Sequence, residues 1–198
     1  MIANYSEILT INNLKQSIKD LLSTKYQAMK IFLVGYMGCG KSTVGKELAH
    51  MLNFPFYDTD QIIEKTENNS ISNIFQEQGE DAFRLKERKV LIEMLDRYPS
   101  GIFSTGGGMP CFLDNMKLMN KGGYTVFINC GVNLLYDRLG KSKNRPVIKG
   151  KTEYELKKFI SNHLLQRRPY YNLAKIKVMG YDSPGNISNR IISKVNKL

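Results

Sequence analysis

KIFLVGYMGCGKSTVGKELAHML, residues 30–52, sets a short apolar run, a glycine-rich turn and a helical pattern in immediate succession. Residues 30–34 read as a short buried strand. Residues 35–43, GYMGCGKST, satisfy G-x-x-x-x-G-K-[ST] through Gly35, Gly40, Lys41 and Ser42. Glycines there let backbone N–H groups turn inward around phosphate oxygens, and the helix N-terminus adds its partial positive charge. Lysine at this position reaches the β- and γ-phosphates, and the hydroxyl after it ligates Mg²⁺. The bare pattern has chance matches, and a tight glycine turn with a surface lysine is the bland alternative. A strand before it and a helix after it favour a nucleotide site made by Gly38, Cys39, Gly40, Lys41, Ser42 and Thr43. Cys39 stands beside Lys41 at the helix N-terminus, a setting that favours a thiolate. Thiol reagents are therefore expected to inactivate the protein, and ATP to protect it.

Outward from this loop the pattern alternates. Residues 54–58, 101–105, 124–129 and 175–179 read as four more strands. Helical stretches are expected from about 59 to 97 with a break near Gly79, over 132–139, over 153–168 and after Pro184. Strands alternating with helices predict a three-layer α/β/α fold around a parallel five-stranded sheet, with ligands at the carboxyl ends of the strands. Residues 140–151, GKSKNRPVIKGK, are polar, basic and bounded by glycines, and read as a mobile loop. Ahead of the core, Ile11, Leu14, Ile18, Leu21 and Leu22 recur at helical spacing. Thr10 or Asn12 could cap that helix, and its roughly three turns are marginal without a partner surface. Residues 1–28 are read as an N-terminal amphipathic extension and 29–198 as the functional domain, with Met29 as the expected start of the core.

The 198 residues suit one domain, and 42% hydrophobic residues are enough for a core. No apolar run approaches the ~18 residues of a membrane span. The N-terminus lacks the basic and apolar blocks of a secretory signal. Cys39, Cys111 and Cys130 are odd in number and show no C-x-x-C, which points away from disulfides and zinc and toward a reducing, cytoplasmic setting. His50 and His163 stand alone, and neither is expected to be catalytic. The formal net charge of +11 fits a solvated surface, a nucleic-acid partner or small polyanionic ligands. Its basic residues are dispersed, with no block of five like charges, which weakens the nucleic-acid reading.

The remaining chemistry gathers at predicted strand ends. YDTD ends the second strand, with Asp58 and Asp60 two apart and thus on one face of an extended segment. STGGG, residues 104–108, ends the third. GEDAFRLKE (79–87) opens a helix, Arg145-Pro146 lies in the basic loop, and RRPYY (167–171) follows the long helix. In order along the chain, GYMGCGKST, YDTDQIIE, FQEQGEDAFRLKE, TGGG, the arginine-proline loop and RRPYY resemble shikimate kinase, in the nucleoside-monophosphate-kinase-like group of P-loop proteins. The match runs from about Met29 to the C-terminus and leaves only the first 28 residues outside.

The resemblance implies ATP-dependent phosphorylation of the 3-hydroxyl of shikimate, on the route to chorismate and the aromatic amino acids. Mg²⁺ is the implied cofactor, and the implied partners are ATP and shikimate, with no nucleic acid, no membrane and a monomeric protein. Shikimate carries a carboxylate and three ring hydroxyls. Arginine suits the carboxylate because its fork donates two parallel hydrogen bonds. The family's positions are matched by Arg84 and Arg167 for the carboxylate, and by Asp60 with Gly106, Gly107 and Gly108 for the hydroxyls. Arg167 rather than Arg168 fits the R-x-P-x-Y spacing. Phe75 and Phe83 match the pocket's aromatic wall, and Glu87, one turn from Arg84, is expected to hold its guanidinium. Arg138 matches an arginine that stacks on adenine, and Asp182, Ser183 and Pro184 fall where the family lines the adenine pocket. Arg145 matches a catalytic arginine of a lid over about 140–151. Lys41, Asp60 and Arg145 are thus the expected catalytic residues, and Ser42 and Asp58 the expected metal residues, Asp58 through water. Two rivals stay open: another small-molecule P-loop kinase, such as one for gluconate, and a basic P-loop module that binds nucleic acid or a partner without turnover.

Overall fold

The computed structural model describes residues 28–140 and 152–198. The expected N-terminal helix, Arg145 and the 141–151 part of the expected lid lie outside the described residues. Five strands form one sheet: β1 (Lys30–Val34), β2 (Phe56–Asp58), β3 (Gly101–Ser104), β4 (Tyr124–Asn129) and β5 (Ile176–Met179). The order is β2-β3-β1-β4-β5, and every pairing is parallel. The expected α/β/α architecture is therefore the one found.

The centre of the sheet explains the apolar runs. After Lys30, β1 is buried throughout, and Ile102, Phe103, Val126, Phe127 and Ile128 on its neighbours are buried too. Such burial on both faces is what makes a parallel strand continuously hydrophobic. Edge strand β5 instead alternates buried Ile176 and Val178 with exposed Lys177 and Met179. On one face an aromatic row runs across three strands: Tyr57 stacks on Phe103 at 5.1 Å, and Phe103 on Phe32 at 5.0 Å. These residues are paired in register, so side-chain packing and backbone pairing fix the same alignment.

Seven helices are described: α1 (Lys41–Leu52), α2 (Thr59–Glu67), α3 (Ile71–Arg97), α4 (Asn115–Gly122), α5 (Val132–Gly140), α6 (Glu153–Tyr171) and α7 (Pro184–Val195). A 3₁₀ turn, Met109–Cys111, precedes α4. The caps are legible in the residues. Ser70 caps α3, and Thr152 and Glu155 form a reciprocal capping box on α6. Gly79, at φ 80° and ψ 176°, breaks α3 where the sequence places a break. None of the described helices is long and apolar enough to cross a membrane.

The boundaries differ from expectation at several places: α5 reaches Gly140, α2 and α3 part at residues 68–70, and α4 lies where no helix is expected. β2 begins at Phe56, not Phe54, because the Phe54 N–H goes back to the Ala49 carbonyl at the end of α1. β3 ends one residue early, and β5 begins one residue late. α6 runs on through Pro169 to Tyr171. Proline deprives only the Leu165 carbonyl of its helical donor, and Leu165 is 76% exposed, so water can take that place.

Candidate active site

The strand order lines the carboxyl ends up as β2, β3, β1, β4 and β5, and a cavity of about 520 Å³ lies over them. That is a size suited to a small ligand. At its centre the loop after β1 uses backbone that only glycine adopts readily. Gly35, Gly38 and Gly40 stand at φ 143°, 80° and 97°. Gly38, Cys39, Gly40, Lys41, Ser42 and Thr43 all line the cavity. Lys41 is only 8% exposed, and its Nζ donates to the carbonyls of Gly35 (2.8 Å) and Tyr36 (3.0 Å).

Cys39 does not meet the reactive-thiol expectation. Its side chain turns into the core and is 1% exposed, so reagents lack the access that thiol chemistry needs.

Asp58 and Asp60 both line the cavity, but not as alternate residues of one strand. Asp58 ends β2 and is the N-cap of α2, and Asp60 lies in the first turn of that helix. The Asp60 N–H donates to Asp58 Oδ1 at 3.1 Å. The capping turn, rather than the pleat of a strand, places the two carboxylates. Asp58 Oδ2 accepts the Ser42 hydroxyl at 2.7 Å, and Ser104 Oγ lies 3.1 Å from the same hydroxyl. Ser104 opens the STGGG motif, and nothing in that motif by itself points to a role for its hydroxyl. Its place in the cavity follows from β3 lying beside β1.

The acceptor-side residues converge on the glycine loop after β3. A Cβ on Gly106 would come within 2.8 Å of Asp60 Oδ1 and collide with Glu87. A Cβ on Gly108 would land on the Arg84 guanidinium, and one on Gly107 would touch Arg167 Nη1 at 3.6 Å. At Gly106 and Gly108 the missing Cβ is what lets these side chains approach so closely, whereas at Gly107 the contact would be an ordinary van der Waals one. Buried Thr59 accepts the Gly106 N–H at 2.9 Å and so ties this loop to α2.

Arg84 pairs with buried Glu87 and with exposed Glu80, the latter at 2.7 Å. Burial pulls the Arg84 pKa down, but Glu87 and Glu80 outweigh it and hold the guanidinium above its ordinary value. Burial pushes the Glu87 carboxyl up, against Arg84, with Asp60 adding to the rise and Arg167 opposing it. Phe75 and Phe83 pack at 4.6 Å, with the Arg84 guanidinium 5.8 and 5.4 Å from their ring centres.

Tyr171 is the last residue of R-x-P-x-Y. Its hydroxyl donates to the Gly107 carbonyl at 2.7 Å, and its ring packs on Phe127 at 5.2 Å. The spacing was the available signal, because Arg167 and Tyr171 share a helix face at i and i+4. Tyr171→Phe is expected to lower the unfolding free energy by about 1 kcal/mol, the net worth of one such bond, read from urea titrations at unchanged slope.

On the far side, Arg138 lines the cavity and donates to the Cys39 carbonyl at 3.1 Å and the Gly180 carbonyl at 2.9 Å. Asp182 and Pro184 line it as well. Ser183, between them, does not, because its hydroxyl caps α7 by accepting the Asn186 N–H at 3.3 Å.

A family model for shikimate kinase matches residues 37–196. The chain belongs to the shikimate kinase family. It is 46% identical over 148 residues to the shikimate kinase of Azobacteroides pseudotrichonymphae, covering 74% of this chain and 87% of that one. The 1.7 Å crystal structure of shikimate kinase from Bacteroides thetaiotaomicron superposes with TM-score 0.79 at 39% identity, over 86% of this chain and 99% of the other. The Acinetobacter baumannii shikimate kinase, solved in complex with shikimate, superposes with TM-score 0.81 at 29% identity, over 89% and 97% of the two chains.

Proposed function

We propose that this chain transfers the γ-phosphoryl group of ATP to the 3-hydroxyl of shikimate, giving shikimate 3-phosphate and ADP. The observation that carries the reading is the junction on one cavity wall. The phosphate loop, Asp60 and Gly107 line the same space, with Arg167 against Gly107 and Arg84 against Gly108. A phosphate donor and a hydroxylated carboxylic acid can thus meet there.

The residues fit a hard divalent cation. Ser42 Oγ and the Asp58 carboxylate converge at 2.7 Å on the cavity surface, and among the described residues no cluster of three His, Cys, Asp or Glu stands ready to cage a metal. Mg²⁺ prefers few protein oxygens, with phosphates and water completing its shell. Ser42 would hold it directly and Asp58 through water. When bound, it would neutralise phosphate charge.

The chain's own groups do the rest. Loop N–H groups and Lys41 cradle the phosphates, with Arg138, Asp182 and Pro184 toward the nucleoside. Arg84 and Arg167 take the shikimate carboxylate, and Gly107 and Asp60 take ring hydroxyls. The 3-hydroxyl oxygen bonds to the γ-phosphorus as the bond to the β,γ-bridging oxygen breaks, and its proton passes to Asp60. Positioning and charge neutralisation dominate such a transfer. Arg145, outside the described residues, is assigned the role of meeting the transferring group by the family resemblance alone. The reading needs two small molecules, no nucleic acid and no membrane, and apart from Arg145 every group it names lies among the described residues of one copy of the chain.

The test is an ADP-release assay on the purified protein with shikimate and with gluconate, the product located by phosphorus NMR. Turnover of shikimate to a 3-phosphate is expected, and gluconate turnover without shikimate turnover would overturn the assignment. Arg84→Lys keeps the charge but loses the fork. Its shikimate KM is expected to rise roughly tenfold or more, the worth of one hydrogen bond to a charged group, with little change for ATP. Equal losses for both substrates would instead mark a folding defect.

A further inference from the structure

Arg84 and Arg167 are held by different means. Among the described residues, Arg84 is gripped by the carboxylates of Glu80 and Glu87, whereas no carboxylate lies within ion-pair distance of Arg167. What lies beneath Arg167 is an aromatic face. Its guanidinium carbon is 5.6 Å from the ring centre of Tyr36, a residue inside the phosphate loop and 1% exposed. The Tyr36 hydroxyl is 3.3 Å from His163 Nδ1, one turn before Arg167 on α6. His163 is in turn packed on Phe159 at 4.0 Å. Phe159, His163, Arg167 and Tyr171 recur every fourth residue and form one stripe. That stripe seats α6 on two loops, with His163 and Arg167 on Tyr36, and Tyr171 on the Gly107 carbonyl.

From this arrangement we infer that Tyr36 is the positioning residue for Arg167. The inference rests on the reading of Arg167 as a carboxylate ligand of shikimate. A cation over a ring face is held by the ring's quadrupole, which uses none of its N–H donors. With no ion pair among the described residues, Arg167 therefore keeps more of its fork for an incoming carboxylate than Arg84 does, although the Tyr171 hydroxyl one turn on also faces its guanidinium. The hydroxyl fixes the ring in turn. Burial, and next the Arg167 charge, lower the His163 pKa, and a neutral imidazole can accept the Tyr36 proton at Nδ1. The Tyr36 carbonyl meanwhile accepts from Lys41 at 3.0 Å, so one residue touches both the phosphate-binding lysine and the acceptor arginine.

The test is calorimetric titration of the full-length protein with shikimate and, separately, with ATP. Tyr36→Leu removes the ring face and is expected to weaken shikimate binding about threefold to thirtyfold, a larger factor than any loss of ATP binding. Tyr36→Phe keeps the ring, and should restore most of the lost affinity. Unchanged shikimate binding in Tyr36→Leu would overturn the inference, as would equal loss of both ligands or no rescue by phenylalanine. Arg167→Ala separates the two levels. If it loses shikimate affinity while the Tyr36 variants do not, only the positioning role fails. If it binds shikimate normally, the carboxylate reading of Arg167 fails and takes the inference with it.

Discussion

Asp60→Asn is expected to lower kcat for shikimate phosphorylation by about 10²–10⁴-fold, the range for loss of a positioned general base. The amide has the carboxylate's shape and can still accept from a ring hydroxyl, so shikimate KM should change little. It cannot take the hydroxyl's proton at neutral pH. The fold should tolerate the change, because what seats residue 60 is its backbone. Its N–H is held by Asp58 Oδ1 at 3.1 Å, and that capping bond does not involve the side chain. The carboxylate stands against Gly106, where a Cβ would come within 2.8 Å of it. Steady-state kinetics at saturating ATP, beside a thermal melt, check this. A near wild-type kcat in a folded variant would remove the proton-accepting role and leave Asp60 as an orienting group.

Asp58 and Asp60 show which part of the site is written in local sequence and which is not. The residues pointed to a strand end with both carboxylates in the cleft, and both do line the cavity. The reasoning from strand periodicity does not hold, because helix α2 begins between them. An aspartate followed by a helical pattern is itself a capping signal, and weighing it would have placed the turn. Motifs were legible where chemistry demands particular residues in sequence, as in the phosphate loop or the three glycines. Roles set by distant packing were not. Tyr36 reaches His163 across 127 residues, and Tyr171 reaches Gly107 across 64. No local pattern names the distant partner in such contacts, although the i, i+4 spacing does put Tyr171 on the helix face of Arg167. Cys39 erred for a related reason: loop and charge favoured a thiolate, but burial is a property of the assembled core. The same limit applies to Ser183, whose neighbours line the cavity while its own hydroxyl caps a helix.

Lys41→Met carries the other large effect. A loss of about 10²–10³ in kcat is expected, the cost of removing one preorganised charge from a site of developing negative charge. The geometry explains why an exposed lysine could not substitute. Lys41 is 8% exposed, and its ammonium is already aimed by two loop carbonyls at 2.8 and 3.0 Å. Its reorganisation cost is met on folding, before ATP arrives. Methionine fills a similar volume and keeps the apolar stem but leaves the Gly35 and Tyr36 carbonyls without that donor. Some loosening of the loop should therefore accompany the rate loss, as weaker ATP binding and a lower melting temperature. Because the Tyr36 carbonyl is one of those acceptors, the loosening should also reach Arg167 through the Tyr36 ring. Lys41→Met should then weaken shikimate binding measured without ATP, although lysine and shikimate need not touch. Single-turnover phosphoryl transfer, with shikimate titrated in the absence of nucleotide, separates the two effects. A large rate loss with unchanged shikimate affinity would leave the charge role intact and sever the mechanical link between the two halves of the site.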